Sequence, residues 1–103
     1  MVTVDGTITH AAADRLLATF FVDGILYSFN ASVNPDTMPF PTNSAQLTYD
    51  DVEDLTHAHA VHGRIGTGDF SLNFDNGPKI EGTFSPGVDR AVAINGNGAW
   101  ETY

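Results

Sequence analysis

A chain of 103 residues with no cysteine, 42% hydrophobic residues and 17% charged ones has room for one folded unit. It excludes disulfides, thiolate metal sites and cysteine nucleophiles. Thirteen acids against four bases give a net charge of −9; the bases Arg15, Arg64, Lys79 and Arg90 stand singly, so a phosphate backbone or an anionic membrane surface finds no cluster of cations.

The opening "MVTVDGTITH" has no basic segment followed by an apolar one, and no apolar run approaches a membrane span. The expectation is a soluble, cytoplasmic protein forming a single β-rich domain over residues 1–103. A chain this short buries only about 60–65% of its unfolded surface, which makes self-association an expected route to further burial.

In chain order, "VTVDGTITH" alternates, with Val2, Val4, Gly6, Ile8 and His10 on one face and Thr3, Asp5, Thr7 and Thr9 on the other. That pattern predicts a half-buried strand with a bulge at Gly6. "RLLATFFV" and "ILYSFNA" flank Asp23-Gly24, a strong signal for a two-residue hairpin turn. The first arm is apolar on both faces: Leu16, Ala18, Phe20 and Val22 on one, Leu17 and Phe21 on the other. Its second face is therefore expected to lie under a helix, a partner subunit or a ligand.

"NPDTMPFPTNS" holds three of the five prolines and predicts a loop, with Met38 and Phe40 folding back as a lid or onto a neighbour. "LTYDDVEDLTHAHAVHG" predicts a helix from about Tyr49, ending between His57 and His62. Thr48 with Asp51 reads as a capping box, acids fill the first turns and Gly63 ends it. The competing reading makes "HAHAVHGRI" a strand. "DFSLNFDNGPKIEGTF" predicts a second hairpin around Asn76-Gly77, with Ile80 and Phe84 facing a core. "RAVAINGNGAWETY" predicts a third, bent at "NGNG". The sum is an all-β, β-rich fold with one short helix and about seven strands, arranged as a small antiparallel barrel or a two-sheet sandwich.

His57, His59 and His62 crowd one segment. On a strand, His57 and His59 share a face, as metal ligands do, and His10, Asp69 or Glu81 would have to complete the set. On a helix, His59 and His62 share a face near its C-terminus, where imidazoles need no catalytic role. The helix reading is preferred, so no metal and no cofactor is expected. Trp100 and Tyr103 with the amides of Asn95 and Asn97 form the candidate ligand site, because aromatic faces stack on sugars and amides fix hydroxyl geometry. No nucleophile elbow and no phosphate-binding loop occurs.

Three functions fit. The preferred one is a small non-enzymatic binding module, self-associating, for a small molecule or a glycan. The others are a small barrel enzyme with an Asp or His acid–base in an apolar pocket, and an acidic interaction or inhibitory protein. An open cavity containing a carboxylate or imidazole would favour the enzyme; a filled interior with an apolar exterior patch would favour the interaction protein.

Overall fold

Strands that mostly alternate buried and outward side chains close into one ring. The computed structural model describes residues 2–34, 43–83 and 91–102. Its strands are β1 (Val2–Ala12), β2 (Arg15–Val22), β3 (Ile25–Asn34), β4 (Asn43–Tyr49), β5 (Ala58–Ile65), β6 (Asp69–Phe74), β7 (Lys79–Thr83) and β8 (Val92–Thr102). A short 3₁₀ turn, Val52–Asp54, lies between β4 and β5. All neighbours are antiparallel, in the order β1-β2-β3-β8-β5-β6-β7-β4, and β4 returns to β1 to complete a closed barrel. Among the described residues no helix is long and apolar enough to cross a membrane.

The expected all-β barrel is present, with eight strands where the sequence suggests seven. The difference has two parts. "NGNG" is no bend: Asn95 to Gly98 run straight through β8, which pairs with β3 on one side and β5 on the other. Two strands also come from the segment read as loop and helix. Ala45, Leu47 and Tyr49 alternate inward along β4, and "AHAVHGRI" is β5. A helix over His57 to His62 would leave the edges of β8 and β6 unpaired; β5 fills that gap and satisfies both ladders.

The predicted capping box is absent as well. The N-cap is Asp51, whose carboxylate accepts from the backbone N–H of Glu53 at 3.0 Å, and the turn stops after three residues. The bulge expected at Gly6 falls later, between His10 and Ala12. The Asp23-Gly24 hairpin is as expected, with φ of 51° and 79° at the two turn residues. The loop residues Met38 and Phe40, the "SPGV" turn, Phe84 and Tyr103 lie outside the described residues.

Eight strands give a lumen about as wide as the side chains that fill it. Here Ile8, Phe20, Leu47, Leu72, Ile80 and Ile94 are almost wholly buried within one continuous apolar cluster. Phe29, Phe74 and Trp100 meet inside it, with ring centroids 4.6 to 5.4 Å apart. Phe20, Tyr27, Phe29, Phe70 and Phe74 are therefore core.

Of the covers expected over the second face of β2, the helix is not the one. Among the described residues no helix covers it; Leu17 is half-buried and Phe21 is 67% exposed on the outside of the barrel.

Candidate functional site

Antiparallel order puts the β2–β3 turn, the β4–β5 connection and the β6–β7 turn at one end of the barrel. Leu55 plugs this end: it follows the 3₁₀ turn and is 0% exposed. The plug is tied down by local bonds. Thr56 Oγ1 donates to the Glu53 carbonyl at 2.7 Å, and Asn76 Nδ2 donates to the Asp54 carbonyl at 2.9 Å. The Trp100 backbone N–H donates to the carbonyl of His57, a residue held at φ 67°.

His59 belongs to the same knot. Its Nε2 lies 2.7 Å from the Thr56 carbonyl, which can only accept, so this nitrogen donates. Nδ1 faces Asp75 Oδ1 at 3.0 Å. Asn76 Nδ2 is also 3.4 Å from Nε2; the shorter carbonyl contact decides the proton's place, and the amide serves Asp54 instead. With Nε2 donating to the Thr56 carbonyl, Nδ1 bonds the Asp75 carboxylate only when the ring carries a second proton, so both ring nitrogens face acceptors that the chain itself supplies.

The remaining histidines of this segment do not join it. His57 and His62 are exposed, and among the described residues no three His, Asp or Glu side chains converge on one point. The predicted ligand residues are also separated. Trp100 is buried inside against Phe29 and Phe74, while Asn95 and Asn97 point outward from the same strand. A period of two explains this: an even-numbered aromatic and odd-numbered amides on one strand take opposite faces.

Tyr49 sits at the plugged end as the last residue of β4. Burial pushes its phenol above the usual 10.0, with the Asp23 carboxylate and then Tyr27 adding to the rise. The folded state therefore favours the neutral phenol. The sign follows: this contribution is intact below the unfolded tyrosine value and is lost as pH rises from there through the higher folded one. Urea denaturation at stepped alkaline pH should show stability falling, and Tyr49→Phe should flatten that fall.

Depressions occur on the outer wall over β4, β7 and β6. One, of roughly 380 Å³, is lined by Gln46, Arg64, Asp69, Ser71, Glu81 and Thr83, with Phe70 and Gly82 as its floor. Arg64 pairs with Asp69 at 3.6 Å, and Lys79 with Glu81 at 3.4 Å. The periodicity that marks these residues as outward-facing was available in the sequence; their convergence from separate strands was not.

Fold and site together define a class: a small closed antiparallel barrel whose described inward side chains form one continuous apolar cluster. No protein family, curated protein or solved structure matches the chain.

Proposed function

We propose that the protein is a non-catalytic interaction module that meets a protein partner through the outer wall of its barrel. One observation carries this reading: the lumen is occupied by side chains, while Phe21 stands 67% exposed on the outside, directly across from Leu26 on β3. Phe21 with the half-buried Leu17 and Leu26 gives this wall an apolar stretch, and contiguous exposed apolar surface is what marks contact sites. The occupied His59 supports the same reading against an acid–base role.

An environment-sensitive apolar dye tests it in dilute protein. Dye binding should fall at least several-fold in Phe21→Ser and persist in the lumen variant Ala31→Val, with both variants folded by circular dichroism. Dye binding indifferent to Phe21→Ser but altered by Ala31→Val would place the apolar site inside and end the proposal.

A second reading has its own observation. The outer depression lined by Gln46, Ser71, Thr83, Glu81 and the Arg64–Asp69 ion pair offers donors and acceptors suited to a small polyhydroxyl ligand or glycan. A sugar-dependent rise in melting temperature that Gln46→Ala removes would favour it.

A further inference from the structure

We infer that the wall formed by β2, β3, β8 and β5 is the contact face for a second copy of this chain, lying antiparallel across a two-fold axis. The inference rests on the interaction-module reading and names its partner.

A closed ring presents no free strand edge, so the described barrel cannot associate by extending its sheet. Contact has to be made by side chains on a wall or at an end. The plugged end is unsuitable for self-contact. Asp23, Asp50, Asp51, Asp54 and Asp75 all lie in connections there. In a chain of net charge −9, bringing two such ends together is repulsive.

The wall is different. Across all four of its strands the charged residues are Arg15, Arg64 and Glu101. Its outward positions otherwise carry small or uncharged side chains, among them the exposed Ala58, Ala60, Ala99 and Asn97, and the exposed Phe21 stands on the same wall. An antiparallel two-fold arrangement pairs wall with wall and sends the two acidic ends in opposite directions, which is the arrangement of least repulsion for identical acidic chains. A partner of opposite charge would be drawn to the acidic end instead.

Size agrees. The molecule measures 35 × 23 × 23 Å, so one long side is of the order of the ~800 Å² per partner that a specific interface buries.

Sedimentation equilibrium from low micromolar to submillimolar concentration provides the test, with three proteins. The wild type should sediment as a dimer. Ala99→Glu puts two carboxylates into the proposed interface and should weaken the dimer at least ten-fold while melting normally. Ser44→Glu adds the same charge to β4, diametrically opposite β8 in the ring, and should leave the dimer intact. Added salt should strengthen the wild-type dimer by screening.

A wild type that stays monomeric throughout overturns the inference, as does a dimer untouched by Ala99→Glu or one broken equally by Ser44→Glu. A monomer whose dye binding still depends on Phe21 would keep the interaction module and assign its face to a different protein. A monomer whose dye binding ignores Phe21 would remove both.

Discussion

Gly98→Val is expected to abolish the folded barrel. A side chain built at this position would overlap the backbone carbonyl oxygen of Asn30 on β3, and Gly96 would meet the Ser32 carbonyl in the same way. The obstacle in each case is main chain within a paired ladder, which cannot move aside as a side-chain tip can. Overpacking a core costs about 1–3 kcal/mol where neighbours can adjust. Here they cannot without breaking strand pairing, so the loss should reach the exceptional range of about 4–5 kcal/mol or more. That is comparable with the whole stability of a small domain, about 5–15 kcal/mol. Circular dichroism and urea denaturation provide the measurement. Gly68→Val is the control, because nothing stands within 4 Å of the point where its Cβ would lie; it should change stability by no more than about 0.5 kcal/mol. A Gly98→Val protein as stable as the control would mean that β8 does not approach β3 as described.

Leu55→Ala should cost about 2–5 kcal/mol, the range for deleting a fully buried leucine side chain. Leu55 is 0% exposed although it sits in the short irregular connection between β4 and β5. Truncating it leaves a void at the plugged end, where the Asn76 and His59 bonds hold the surrounding backbone too firmly to collapse into it. For a domain of this size each kcal/mol lowers Tm by roughly 4–8 °C, so the variant should melt at least about 8 °C below wild type. Trp100 gives an independent reading, since its backbone N–H is bonded to the same connection: its fluorescence should report a loosened end. Replacing the neighbouring exposed Glu53 by alanine should have little effect. Equal losses at both positions would show that the segment lies on the surface and does not plug the barrel.

Much of the architecture is legible in local pattern. Asp23-Gly24 specifies its hairpin because positive φ at both residues is a local demand. The alternation in β1, β3 and β6 places Ile8, Phe29 and Phe74 inside, because side-chain period is a property of any extended strand. Two signals mislead, each for a definite reason. Asn-Gly repeats favour turns in isolation, yet in β8 the glycines are needed where neighbouring backbone passes too close for a Cβ. Acids followed by a 3.6-residue stripe favour a helix, yet "AHAVHGRI" is taken up by the gap between β8 and β6.

The candidate site is less legible than the fold. Phe21 is recognisable from its sequence as apolar on the wrong face; that it stands in water depends on how distant parts of the chain are laid around the barrel. His59 meets Asp75 only because β5 starts beside the β6–β7 turn. Trp100 and the two asparagines are close in sequence and divided by the wall itself.

Composition and periodicity by themselves determined an acidic, cysteine-free, all-β chain with its Asp23-Gly24 and Asn76-Gly77 hairpins and the inward residues of β1, β3 and β6, since these depend on backbone geometry within a few positions. Ring closure, the conversion of a helix-like segment into β5, and the filling of the lumen were decided by tertiary structure alone. Each depends on satisfying hydrogen bonds and excluding water between strands far apart along the chain, and no local window of sequence contains both partners.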